Sequence, residues 1–270
     1  MNSVHAWPDG PRCPVLGADD VHVWRIELDV PSDARAELER HLSIEERERA
    51  RRYVLRRDAE RFITGHGMLR TILSAYLDTA PSAIRFQAGE YGKPRVQRER
   101  ADDGLSFNFT HSDAIALCAV TRGRSVGVDV ERIRPMPDME QITQRFFSAY
   151  ECAALRAVPA ELREEAFYAC WSRKEAYIKG RGLGLSLALD SFDVSVAPGE
   201  AAELIARRGE AKTVNEWELH ELRPALGYTG ALAVEGVSAK ITLWHSPTVE
   251  LSAVPAWHVP VSSGNYRGVE

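Results

Sequence analysis

WSRKEAYIK, residues 171–179, carries a helical pattern and breaks it at one position. Phe167, Cys170, Trp171, Tyr177 and Ile178 recur at spacings of three, four and seven, which draws one apolar stripe along an α-helix. Lys174 falls inside that stripe, three and four residues from Trp171 and Cys170. A buried ammonium without a counter-charge costs several kcal/mol, so Lys174 requires an anionic partner. Glu175 and Lys179 stand one turn apart on the edge of the stripe. The helix therefore offers two ammonium groups and a carboxylate to something anionic.

A dense β region lies upstream. Residues 105–110 (LSFNFT), 114–121 (AIALCAVT) and 125–131 (SVGVDVE) read as strands, and TRGR, 121–124, reads as a hairpin turn joining the last two. Residues 139–157 and 160–179 are expected to be helical. After the glycine-rich GRGLGLS come strands at 192–196, 216–222 and 227–234, with 241–244 as a further candidate. In the first half, VHVWRIEL (21–28) is a strand. Ser43, with Glu46 three residues on, opens a helical stretch with a capping box. That periodicity continues through Phe62, Leu69 and Tyr76, as two helices broken near residues 56–58. Short strands are expected at 83–86 and 93–96, on either side of the turn-prone EYGKP. Each half thus reads as a strand, two helices, then strands. That is an α+β pattern of two similar units joined near residue 122.

The 270 residues suit one large or two small domains. A hydrophobic fraction of 44% and a charged fraction of 27% are those of a soluble globular chain. A net charge of -5 gives no pull toward nucleic acid or anionic lipid. No apolar run reaches the ~20 residues that span a bilayer. MNSVHAWPDG has neither a basic n-region nor an apolar h-region. Cys13, Cys118, Cys152 and Cys170 lie far apart with no CxxC pair, and Cys118 and Cys170 sit in apolar patterns as reduced core residues. A cytoplasmic protein is expected.

In SVGVDVE, Val126, Val128 and Val130 face one way, into a core; Gly127, Asp129 and Glu131 face the other. The two carboxylates stand roughly 7 Å apart on one strand face, where they raise each other's pKa unless a cation intervenes. Oxygen donors with no His or Cys beside them favour Mg²⁺ over zinc. A lone DxE is more often a solvated strand face. Gly127, a mid-strand glycine, marks a close approach by backbone or ligand. In FNFTHS, 107–112, His111 ends a strand at the mouth of a hairpin whose far strand carries Asp129. It is placed to donate to a phosphate or orient an acid, although single histidines of this kind are more often structural. If Glu175 joins Asp129 and Glu131, three acids make an oxygen-rich Mg²⁺ site, with Lys174 and Lys179 neutralising phosphate oxygens. The acid cluster alone fits a Mg²⁺-dependent phosphatase or nuclease as well. Arg47, Arg49, Arg51, Arg52, Arg56, Arg57 and Arg61 are interleaved with glutamates, as on a solvated helix. GRGLGLS has neither Walker nor dinucleotide spacing and reads as a turn out of the helix.

FNFTHS, VGVDVE and WSRKEAYIK, in this order along the chain, resemble motifs of the Sfp-type 4′-phosphopantetheinyl transferases; EYGKP, RFFSAYE and GLGLSLALDSF extend the likeness over residues 43–196. The resemblance implies two ferredoxin-like α+β halves with pseudo-twofold symmetry and the active site between them. Residues 1–20 would be an extended lead-in. Residues 21–122 would hold the adenosine end of coenzyme A, and 123–245 would carry the metal and catalytic motifs. Residues 246–270 would form a peripheral tail. Coenzyme A would be the donor. The acceptor would be a serine of an acyl or peptidyl carrier protein from a polyketide, nonribosomal peptide or fatty acid synthase. Asp129, Glu131 and Glu175 would hold Mg²⁺, with Mn²⁺ able to stand in. Thr110, His111, Lys174 and Lys179 would lie at the phosphates, and Arg49 and Lys93 at the adenosine end. Glu175, Lys179 and His111 would be catalytic. Arg132, Arg134 and Met136 through Phe146 and Phe147 offer basic and apolar groups to a carrier helix. A pseudo-dimeric chain completes its own site, so a monomer is expected. Two departures stand out: Glu46 where some relatives carry a base near the 3′-phosphate, and Phe62 where a threonine can contact coenzyme A. A non-catalytic homologue that binds coenzyme A or carrier is the alternative reading.

Overall fold

One order of elements is built twice. The computed structural model describes residues 4–97, 104–207 and 216–246. β1 (Asp20–Glu27) leads into α1 (Ser32–His41), α2 (Ile44–Arg51) and α3 (Arg56–Leu77), then a short hairpin of β2 (Phe86–Ala88) and β3 (Pro94–Val96), then β4 (Leu105–Ser112) and β5 (Ile115–Arg122). The order recurs as β6 (Val126–Arg132), α4 (Met139–Phe146), α5 (Ala149–Ala157), α6 (Arg163–Arg181), the hairpin of β7 (Phe192–Val194) and β8 (Leu204–Arg207), then β9 (Trp217–Leu222) and β10 (Tyr228–Glu235). In each repeat the first strand lies beside the last, and the last beside the one before it: β1-β5-β4 and β6-β10-β9, antiparallel throughout. β11 (Lys240–His245) adds to the other edge of β1, in parallel. The fold is α+β.

The alternation read from the sequence sets the layers. Val21, Val23, Leu117 and Ala119 of one sheet share a buried cluster with Val126, Val128, Val130 and Leu232 of the other. On the outer faces, Leu69, Ile72 and Leu73 of α3 pack with Trp24, Ile26 and Cys118, and Phe167, Cys170 and Tyr177 of α6 pack with Ala231 and Ala233. Cys118 and Cys170 are buried and all four cysteines are free thiols. Among the described residues, no helix is long and apolar enough to cross a membrane.

The expected hairpin across TRGR does not form. β5 pairs with β1 and β4, whereas β6 pairs with β10, so the turn carries the chain from one sheet to the other. β5 is buried along nearly its whole length and needs a strand on each edge, which β1 and β4 supply. The tight hairpin is β4–β5, turned at Asp113 with φ 49°. The helix expected over 139–157 breaks at Phe147. Ser148 opens α5 with a capping box: its Oγ accepts from the Glu151 amide, and Glu151 Oε2 accepts from the Ser148 amide. The S-x-x-E in RFFSAYE is that signal. In the first half the break lies at residues 52–55, ahead of the expected 56–58. The strand expected over 83–86 begins at Phe86 instead, behind a 3₁₀ turn at Pro81–Ala83.

The lead-in is tied down. The His5 amide donates to Arg223 O at 3.1 Å, the Gly10 amide donates to His245 O at 2.9 Å, and Trp7 packs against the core shared by the two sheets. The tail from residue 247 on lies outside the described residues.

Gly127 answers its own question. A Cβ there would lie 2.0 Å from Ala176 O and 2.2 Å from Gly180 N, so the close approach is that of the α6 backbone to β6. Gly127→Ala is expected to destabilise the protein by about 1–3 kcal/mol, because a helix backbone has to move. A denaturation midpoint identical to that of the parent would contradict this contact.

Candidate active site

β4 and β6 meet at the seam between the sheets without a ladder of main-chain bonds, and side chains of β4 fill in for one. Asn108 Oδ1 accepts from the Val128 amide at 2.8 Å, and Ser112 Oγ accepts from the Arg132 amide at 3.1 Å. Ser112 Oγ donates to Glu131 Oε2 at 2.8 Å, and Thr110 Oγ1 donates to Asp129 Oδ1 at 3.3 Å. These are alternate residues of FNFTHS, so one face of β4 is aimed at β6. The strand that carries His111 therefore meets the strand of Asp129 across a sheet seam and not across a hairpin, and it is Thr110, not His111, that reaches Asp129. Asn108 and Ser112 were not singled out from the sequence; alternation along β4 puts them on the same face as Thr110 and would have found them.

α6 crosses this seam at the level of Gly127 and brings Glu175 and Lys179 over it. Lys179 Nζ donates to Asp129 Oδ1 at 2.6 Å and to Thr110 Oγ1 at 3.2 Å. Asp129 is 3% exposed, and its Oδ2 is buried with no hydrogen-bond partner among the described residues. Burial raises the pKa of Glu175, and Asp129 adds to that while Lys179 opposes it. Burial likewise raises Glu131, with Asp129 again adding and Ser112, Lys179 and Arg134 opposing. A cavity of about 560 Å³ opens beside them, lined in part by Lys93, Asn108, Phe109, Phe146, Glu175 and Lys179.

The three carboxylates do not converge as the sequence led one to expect. Among the described residues, no three His, Cys, Asp or Glu side chains are grouped as ligands of one ion. Lys179 holds one oxygen of Asp129, and Ser112 holds one of Glu131. The donor chemistry still fits a hard dication. Glu131 and Glu175 both sit in the field of Asp129 with their charged forms disfavoured, and Asp129 keeps an unpartnered buried oxygen.

Lys174 is not part of this site. It is fully buried, and Nζ donates to Glu151 Oε1 at 2.5 Å and to Phe192 O at 2.9 Å, with the Phe192 ring 4.2 Å away. The anionic partner that its place in the stripe required is an internal carboxylate on α5. Lys93 lines the cavity, but its ammonium donates to Val126 O at 2.8 Å and Gly180 O at 3.3 Å, tying the β2–β3 hairpin to β6 and to the C-terminal end of α6. Burial pushes its pKa down to about 8, with Arg95 adding to the shift and Glu235 opposing it. His111 is accessible to solvent. Crowding around its ring lowers its pKa, and His66, Lys179, Arg49 and Arg61 lower it further. That ring of positive groups suits an anion.

Both departures acquire a reason. Phe62, 6% exposed, lies under the Arg49 guanidinium at 5.1 Å and supports that side chain. Glu46 is the capping-box acid of α2, and its carboxylate also accepts from Arg70 Nε at 2.7 Å. Phe147 stacks on Phe167 in the core, which leaves Arg132, Arg134, Met136 and Phe146 on the surface considered for a carrier helix. Of the arginine run, Arg56 pairs with Glu60, and Arg61 with Asp29 and Asp113.

Residues 125–233 match the family described as the 4′-phosphopantetheinyl transferase superfamily, and residues 31–122 match the one described as 4′-phosphopantetheinyl transferase, N-terminal. The chain is 37% identical over 241 residues to the 4′-phosphopantetheinyl transferase HetI of Nostoc sp. (strain PCC 7120), covering 89% of this chain and 98% of that protein. It is 37% identical over 175 residues to the 4′-phosphopantetheinyl transferase Sfp of Bacillus subtilis (strain 168), covering 64% of this chain and 75% of that protein. A solved structure of Thermotoga maritima holo-[acyl-carrier-protein] synthase aligns with a TM-score of 0.35 and 19% identity, over 42% of this chain and 64% of that one. The chain belongs to the 4′-phosphopantetheinyl transferase superfamily. Within it, the protein is an enzyme of the Sfp type, a coenzyme A-dependent 4′-phosphopantetheinyl transferase.

Proposed function

We propose that this enzyme transfers the 4′-phosphopantetheine arm of coenzyme A to a serine hydroxyl of an acyl or peptidyl carrier protein and releases adenosine 3′,5′-bisphosphate. The observation that carries the reading is the node of Lys179, Asp129 and Thr110 with Glu175 one helical turn away, beside a cavity between the two repeats. Asp129, Glu131 and Glu175 are the residues that would hold Mg²⁺, or Mn²⁺ in its place, and the ion would supply charge neutralisation at the pyrophosphate.

Everything else falls to the side chains. Glu175 takes the proton from the carrier serine, and burial strengthens it as a base. The serine oxygen forms the new bond to the β-phosphorus as the bond to the bridging oxygen of the pyrophosphate breaks. Lys179 gives a proton to the departing phosphate, and His111 and Thr110 hold phosphate oxygens. Arg49 and Lys93 are assigned to the adenosine end; Lys93 would exchange a backbone carbonyl for the ligand. A monomer suffices, since both repeats lie in one chain.

Incubating an apo-carrier with coenzyme A, Mg²⁺ and this enzyme should increase the carrier mass by one phosphopantetheine per serine. An unchanged carrier across a panel from polyketide, nonribosomal peptide and fatty acid synthases would overturn the proposal. Charge reversal at the exposed Arg134 should raise KM for the carrier and leave KM for coenzyme A alone. Equal effects on both would move the carrier surface elsewhere.

A further inference from the structure

His66 belongs to none of the motifs used so far. It stands on α3 one turn after Phe62, stacked on that ring at 4.1 Å between centroids with a 29° tilt, and meets Phe109 at 5.8 Å. The guanidinium of Arg49 lies over the same Phe62 ring. One aromatic side chain therefore positions two basic groups.

Behind His66 is a fixed anion. Its Nδ1–H donates to Glu46 Oε1 at 3.3 Å. Glu46 is itself held by Arg70 Nε at 2.7 Å and by the Ser43 amide at 2.9 Å. Burial works against the carboxylate, but the hydrogen bonds from His66, Ser43 and Arg70 hold its pKa at about 2, so it is ionised at any working pH. The other ring nitrogen, Nε2, enters no hydrogen bond among the described residues, and the side chain is 24% exposed. Of the charges acting on His111, that of His66 is the strongest, ahead of Lys179, Arg49 and Arg61. A patch of basic groups that oppose one another's charge is relieved by an anion.

We propose that His66, aimed by Glu46, is a further phosphate contact of this enzyme, donating Nε2–H to the 3′-phosphate at the adenosine end of coenzyme A beside Arg49. The inference rests on the coenzyme A reading above. It gives the acid at position 46 a part in binding: Glu46 does not touch the phosphate but orients the group that does. With Nδ1–H already given to Glu46, donation from Nε2 requires the imidazolium, whose second proton comes from solvent as the phosphate binds. The 3′-phosphate is chosen over the pyrophosphate because His66 shares Phe62 with Arg49, whereas Lys179 and Thr110 belong to the seam at Asp129.

Calorimetric titration with adenosine 3′,5′-bisphosphate and with adenosine 5′-phosphate tests this without any transfer step. His66→Phe keeps a ring on Phe62 and removes both nitrogens. It should weaken the bisphosphate by about tenfold or more and leave the monophosphate unchanged. His66→Gln, which keeps a hydrogen bond to Glu46 without the charge, should lose the same discrimination, and His66→Arg should keep it. Equal weakening of both nucleotides, or none for the bisphosphate, in whichever of the first two variants folds, overturns the inference. A failure of carrier modification by the parent enzyme would instead sink the proposed function and leave this binding result standing.

Discussion

Exchanging Glu175 for glutamine lowers kcat/KM for transfer by about a hundredfold or more and leaves the fold intact; that is the outcome expected of an isosteric replacement that removes a general base. The same change carries a signature in stability whose sign follows from burial. The pKa of Glu175 is raised in the folded protein, chiefly by desolvation. The unfolded chain therefore ionises this group first, and above the ordinary carboxylate range the folded state is the one that is penalised. The penalty sets in as pH rises past the ordinary value and is complete above the raised one. At acid pH, below both, it is absent. Glu175→Gln should thus raise the denaturation midpoint at neutral pH and leave it unchanged in acid. A variant that keeps more than about a tenth of the parent kcat/KM, roughly 1.4 kcal/mol in barrier, rejects Glu175 as the base.

How far the sequence could be read depended on the range of the interaction. Periodicity is local, and the faces it assigned to Val126, Val128 and Val130, and to Phe167, Cys170 and Tyr177, are the faces that are buried. Ser43 and Glu46 are three residues apart, and the capping box they form is visible in the chain. Pairing is not local. The partner of β6 is β10, about a hundred residues away, and no alternation within SVGVDVE distinguishes it from the nearer β5. The site suffers from the same blindness. Asp129, Glu131, Glu175 and Lys179 are recognisable by type and spacing, but Lys179 settling on Asp129, and Ser112 on Glu131, follow from the meeting of two sheet edges. His66 gave no signal, because its partner Glu46 lies on another helix and its neighbour His111 on a strand.

Lys174 is where the two kinds of information separate, and a single substitution divides them. Its position inside an apolar stripe demanded a counter-charge, and the sequence alone allowed that charge to be a phosphate of the substrate. Glu151 meets the demand instead. Its Oε1 accepts from Lys174 and from the Val194 amide at 2.9 Å, its Oε2 accepts from the Ser148 amide, and neither Glu151 nor Lys174 is exposed. Removing the ammonium leaves a buried carboxylate held only by amides, and breaking such a pair costs about 3–5 kcal/mol. Lys174→Met is therefore expected to lower the free energy of unfolding by that amount, measured in urea with an unchanged m-value. The double variant Lys174→Met/Glu151→Leu should recover only part of the loss: it leaves no orphaned charge, but it strips the Ser148 and Val194 amides of their acceptor. The fraction that remains folded should bind coenzyme A as the parent does, since Lys174 lies outside the cavity. A phosphate-binding lysine behaves in the opposite way: its loss raises KM for coenzyme A and relieves, or leaves untouched, the stability. If Lys174→Met unfolds no more readily than the parent while KM for coenzyme A rises, the ion pair with Glu151 is not what holds this ammonium, and the substrate is.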